Sequence, residues 1–168
     1  MDQLWAPWRA AYVTAPKPPS GDEPCFICQA LARKEDRENL VLLLDGNVAV
    51  FLNRFPYNNG HLLVTPLSHK ARLDELSIGE TLDLQRMIQK MVQILDRAMH
   101  PQGYNIGLNL GKVDGAGLPG HLHWHIVPRW SGDTNFMSIV SDTRVIVQSL
   151  EALYDLLSGQ LGEAGENA

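Results

Sequence analysis

Gly120-His121-Leu122-His123-Trp124-His125-Ile126-Val127-Pro128-Arg129-Trp130 holds three of the chain's six histidines, at alternate positions. On a β-strand successive side chains point to opposite faces. The spacing therefore predicts an extended segment in which His121, His123 and His125 form one row, with neighbours about 7 Å apart. Leu122, Trp124 and Ile126 then face the core. Three imidazoles in a row are costly to bury without partners. Such a row points to binding or to chemistry.

The segment just before it gives the row a partner. Glycines at 111, 115, 117 and 120 let backbone amides approach a ligand closely and form an anion-binding concavity. The loop does not match the lysine-containing phosphate loop. A phosphate cradled by these amides would sit directly against a neutral imidazole.

Further out the chain reads as α+β. Leu40–Leu44 and Val48–Leu52 flank Asp45-Gly46-Asn47, a hairpin pattern. Phe55–Gly60 is a loop by its Pro, Asn and Gly content. His61–Thr65 follows as a third strand, ended by Pro66. Ser77-Ile78-Gly79-Glu80 is a capping box that opens a long helix. In it Leu84, Met87, Ile88, Met91, Leu95 and Met99 recur at helical spacing, which reads as core packing rather than cofactor contact. Gly103–Leu110 alternates as a fourth strand. After an irregular stretch, a C-terminal helix carries Ile146, Leu150, Leu153 and Leu157 on one stripe, and the tail after Leu161 is expected to fray. His100, before Pro101, suits a helix C-terminus.

Composition narrows the classes. At 168 residues, 45% hydrophobic and 20% charged, one globular domain with a sizeable core is expected. A net charge of −5 argues against a sequence-independent nucleic-acid binder, which needs a basic stripe, but leaves room for a nucleotide ligand. No apolar run reaches membrane-span length, and the first residues lack a basic start with an apolar core; a cytoplasmic protein is expected. Residues 1–24 read as a Pro- and Trp-rich arm, with Trp5, Trp8 and Trp130 as packing for it.

Both cysteines stand together as Cys25-Phe26-Ile27-Cys28. In a reducing compartment this spacing means a metal half-site or a redox pair. A proline-rich arm precedes it instead of a strand, which favours metal. Two cysteines need two further ligands to close a tetrahedral site, and histidines are the obvious supply.

His121-Leu122-His123-Trp124-His125-Ile126-Val127 resembles the signature of the histidine triad (HIT) family. Other parts agree in order and spacing: Phe51-Leu52-Asn53-Arg54, Gly60–Val64, Pro66 to His69, Asn109 and the glycine loop. The resemblance spans residues 25–130. Leu4–Arg9 and Pro128–Met137 are similar to a bacterial branch described as diadenosine tetraphosphate phosphorylases or ATP adenylyltransferases. The resemblance implies a HIT-like fold for residues 25–161, an antiparallel five-stranded sheet with a long helix and a C-terminal helix.

It also implies nucleotidyl transfer through a covalent histidine. By position His123 is the nucleophile, attacking an α-phosphorus. His125 donates to a phosphoryl or scissile oxygen, and His61 completes the polar wall. Asn53 would bind ribose hydroxyls, Phe51 would pack the base, and Asn109 would contact phosphate or ribose. Amides at Gly115 and Gly117 would stabilise developing charge. Relatives often carry Ser or Gln three residues before the first histidine; this chain has Leu118, so that contact is missing or replaced, by an amide or by Lys112. Cys25, Cys28, His69 and His121 would form a closed structural zinc site. The family also implies a homodimer. Two other functions fit the same residues: hydrolysis of dinucleoside polyphosphates or nucleoside phosphoramidates, and nucleotide binding without turnover by an interaction module.

Overall fold

The computed structural model describes residues 25–111, 120–134 and 146–166. Five strands form one antiparallel sheet: β1 (Val41–Asp45), β2 (Val48–Leu52), β3 (Leu62–Pro66), β4 (Gly103–Leu108) and β5 (Trp124–Arg129), in the order β1-β2-β3-β5-β4. The hairpin expected at Asp45-Gly46-Asn47 joins β1 to β2, and Gly46 takes φ +57°, the left-handed conformation that favours glycine there.

Alternation sorts the strands onto two faces. Val48, Val50, Leu52, Leu62, Val64 and Ile126 turn toward the main core. There α3 (Ile78–Met99) buries Leu84, Met87, Ile88, Met91, Ile94 and Leu95, and α4 (Leu150–Glu166) adds Leu153 and Leu157. The opposite face carries Ala49, Phe51 and Leu63, covered by Ile27 and Ala30 of α1 (Phe26–Arg33). A short helix α2 (Asp36–Asn39) links α1 to β1. Neither α1 nor α2 is predicted from the sequence. Ser77 and Glu80 cap α3 as the capping box requires, and His100 closes its far end at φ +47° with its N–H on Asp96 O.

Three expectations need correction. The histidine segment is extended as a strand only from Trp124, so His121 and His123 precede β5. The ladder with β3 stops at Val64↔Trp124 because the next positions on β3 end in Pro66, which has no N–H to give. In place of the ladder, Leu122 N donates to Lys70 O at 2.7 Å and Leu122 O accepts from Thr65 Oγ1 at 2.7 Å. The fourth strand ends at Leu108 rather than Leu110. The C-terminal helix runs on to Glu166 instead of fraying after Leu161; Leu161 still packs against the core and carries the helix past that point. The arm (1–24) and the loop glycines Gly115 and Gly117, with Lys112 and Leu118, lie outside the described residues.

Candidate active site and metal centre

Because Ile126 faces the main core, His125 emerges on the opposite face, beside Leu63 in the ladder. His123 lies next to it, with ring centroids 5.1 Å apart. Both rings are held by hydrogen bonds that fix which nitrogen carries the proton.

His123 Nδ1 lies 2.8 Å from the carbonyl of His121. A carbonyl only accepts, so Nδ1 donates and the lone pair of the neutral ring stays on Nε2. That is the state a nucleophilic imidazole requires.

His125 is set through a relay. Tyr57 N donates to His61 Nδ1 at 3.0 Å, so the proton of neutral His61 is on Nε2. His61 Nε2 donates to His125 Nδ1 at 2.8 Å. The proton of His125 is therefore on Nε2, and that N–H is buried without an acceptor among the described residues. Burial, reinforced by the neighbouring His123, pulls the His125 pKa from 6.5 to about 4. A neutral ring with a desolvated, unpartnered N–H is a donor waiting for an acceptor. Tyr57 stacks on His125 at 5.6 Å and 19°, bracing the ring from the side.

The two remaining wall residues are placed differently from one another. Asn53 Nδ2 lies 3.1 Å and 3.4 Å from the two nitrogens of His61, across the ring, while Asn53 Oδ1 accepts from Phe55 N at 2.9 Å. Phe51 is 2% exposed and packs on this face with Leu63 and with Ile27 and Ala30 of α1, so its ring is covered rather than open to a ligand. Asn109 is half-buried just beyond β4.

A second group of donors assembles behind the row. His121 Nε2 donates to Pro66 O at 2.9 Å, which leaves the Nδ1 lone pair directed at sulfur: 3.3 Å from Cys25 Sγ and 3.6 Å from Cys28 Sγ. His69 Nδ1 is 3.3 Å from Cys28 Sγ. The four ligand atoms lie within 4.8 Å of one another. Two sulfurs and two imidazole nitrogens at these separations suit a tetrahedral ion with ligand bonds of about 2.0 to 2.3 Å. Without a cation, burial and the adjacent Cys25 push the Cys28 thiol up, and burial pulls the His121 ring down. Local structure supports the assembly: Cys25 is the N-cap of α1, its sulfur accepting from Cys28 N at 3.4 Å.

All four metal-ligand candidates and all three catalytic candidates are thus brought together as two adjoining groups, with His121 serving both. Sequence reasoning missed Tyr57, Thr65, Pro66 and Lys70: the last three act through a hydroxyl or backbone carbonyls, and Tyr57 through its backbone N–H and the face of its ring, none of which has a spacing signature.

Among the described residues, one face of an antiparallel α+β sheet carries a wall of paired histidines beside a Cys/His donor group. Residues 34–132 match the HIT domain. The chain is 37% identical over 162 residues to the AP-4-A phosphorylase of Mycobacterium tuberculosis, covering 94% of this chain and 83% of that one. It is 33% identical over 119 residues to the asymmetrical bis(5'-nucleosyl)-tetraphosphatase of Schizosaccharomyces pombe, covering 70% of this chain and 64% of that one. In fold it resembles a Zn-bound histidine triad family protein from Mycobacterium smegmatis, with TM-score 0.69 and 24% identity over 86% of this chain and 97% of that one. The chain belongs to the HIT family.

Proposed function

We propose that this protein is a nucleotidyltransferase that cleaves dinucleoside polyphosphates such as diadenosine tetraphosphate with inorganic phosphate as the acceptor. The single observation that carries the reading is the pair of opposite tautomers, a bare Nε2 on His123 beside a protonated Nε2 on His125. One ring attacks while the other donates.

In the first step His123 Nε2 forms a bond to an α-phosphorus and the bond to the bridging oxygen breaks, expelling a nucleoside triphosphate. The N–H of His125 stabilises the charge that gathers on a phosphoryl or bridging oxygen. His61 holds His125 in the donating tautomer. In the second step a phosphate oxygen attacks the same phosphorus and the N–P bond breaks, releasing a nucleoside diphosphate and restoring His123. Asn53 and Asn109, with the amides of Gly115 and Gly117, are the proposed contacts for ribose and phosphate.

Zinc is the ion that the Cys25, Cys28, His69 and His121 donor set fits, and with all four positions taken by protein its role is structural. We take the enzyme to be cytoplasmic and to act as a homodimer. Two observations support these readings: no helix among the described residues is long and apolar enough to cross a membrane, and β4 is an outer strand with Ile106 46% exposed.

Incubation with diadenosine tetraphosphate, with and without phosphate, tests the reading. ADP plus ATP, formed only when phosphate is present, is the expected result. AMP plus ATP regardless of phosphate assigns the hydrolase, and no turnover with unchanged binding by His123→Ala assigns the non-catalytic module. Mass spectrometry of the quenched enzyme adds a direct check: a nucleotidyl adduct on wild type, absent from His123→Ala.

A further inference from the structure

Glu80 lies in the first turn of α3, outside both groups of the site, yet its carboxylate gathers the loop that supports them. Oε1 accepts from Ser68 Oγ at 2.8 Å and from Lys70 Nζ at 2.9 Å. Oε2 accepts from Lys70 Nζ at 2.7 Å and from Ser77 N and Oγ at 2.8 Å each. The pair is largely withdrawn from solvent, with the Lys70 and Glu80 side chains 25% and 15% exposed.

What this carboxylate grips is the backbone that shapes the site. Ser68 and Lys70 flank His69, one of the four metal donors. The same stretch holds the histidine segment: Lys70 O accepts from Leu122 N, and Pro66 O accepts from His121 Nε2. The carbonyl of His121 then fixes the tautomer of His123. Residues 67–72 have no regular structure, so no ladder keeps them in place. Isolated backbone bonds hold them at Leu67 N to Asn47 O and at Leu122 N to Lys70 O, Glu75 Oε2 accepts from the amides of Ala71 and Arg72, and Glu80 ties down the side chains of Ser68 and Lys70 between them.

We propose that Glu80 is a positioning residue: by fastening Ser68 and Lys70 to the start of α3, it sets the loop that fixes the metal-donor group and the orientation of His123. Only the kinetic part of its test rests on the nucleotidyl-transfer reading.

Glu80→Gln separates this role from helix capping, because glutamine still completes a capping box but loses the charge facing Lys70. Lys70→Met breaks the same tie from the other end and leaves the cap intact. Partners that orient metal ligands typically contribute about 10- to 100-fold in affinity or activity. Each variant is expected to bind Co2+ and Zn2+ about 10- to 100-fold more weakly in chelator competition and to shift the sulfur-to-cobalt absorption. Each also lowers kcat for diadenosine tetraphosphate while KM moves little. The double variant is no worse than either single, as expected for one shared contact. Wild-type cobalt affinity and spectrum in both variants, or an effect confined to unfolding temperature, overturns the proposal. Cobalt binding involves no nucleotide, so an inactive wild type would sink the transfer reading and leave this measurement decisive for Glu80.

Discussion

At His125 burial and hydrogen bonding act in the same direction, and both keep the ring neutral. Its pKa falls from 6.5 to about 4 because the ring is desolvated and stands beside His123. Between those values the unfolded chain binds a proton at this position and the folded chain does not. Stability therefore holds above pH 6.5 and declines as pH drops toward about 4, by on the order of 3 kcal/mol from this group. His125→Gln removes that share, so denaturant midpoints measured from pH 7 to pH 4 fall less steeply than in wild type. For His123 the expected loss is in chemistry: as the proposed nucleophile, its replacement in His123→Ala is expected to lower kcat by at least about a thousandfold. Single-turnover kinetics with saturating substrate measures it. A residual rate within tenfold of wild type excludes His123 from the reaction.

Among the described glycines, Gly60 at the turn into β3 has the closest surroundings. Gly60 has φ +75°, and a Cβ there would lie 2.9 Å from Met99 Sδ and 3.0 Å from Pro128 Cγ. Gly60→Ala is expected to cost about 1 to 3 kcal/mol through strain and overpacking. Because His61 is the next residue, kcat falls as well; thermal unfolding and turnover assayed on one preparation show whether the two losses travel together. The long helix is more conventional. Met91 is fully buried, so Met91→Ala is expected to cost about 2 to 5 kcal/mol in denaturant titration without altering the pH profile of activity.

These elements differ in how far the sequence announces them. The β1–β2 hairpin and α3 were legible because their signals are local: Asp-Gly-Asn at the turn, Ser77 with Glu80 at the cap, apolar residues at helical spacing. The start of β5 was not, because what ends its ladder is Pro66 on another strand. Nor was α1, whose N-cap is a cysteine rather than the usual serine or aspartate, so the residue that starts the helix reads as a metal ligand. In the site, the alternate spacing of the histidines announced the row. The Tyr57 contact that sets His61 left no trace, since any residue but proline offers that N–H.

Across the whole molecule the four metal donors join parts remote in sequence: α1 through Cys25 and Cys28, the loop after β3 through His69, and the approach to β5 through His121. Folding brings them together, so the binding energy of an ion at the proposed site is folding energy. Removal of metal by a chelator is expected to lower the unfolding temperature by several degrees and to cut turnover about 10- to 100-fold, both restored by added zinc. Metal analysis before and after treatment, followed by differential scanning calorimetry, checks this. A fully active, equally stable metal-free protein rules the ion out as a structural part.

β5 is bonded along both its flanks, to β3 and to β4, whereas among the described residues α1 meets the sheet through side chains. With no ion at the proposed site and gentle heating, the molecule is expected to come apart in a set order. The outer helix peels away first and its amides exchange with deuterated solvent within minutes, while those under His125 wait for the sheet itself to open.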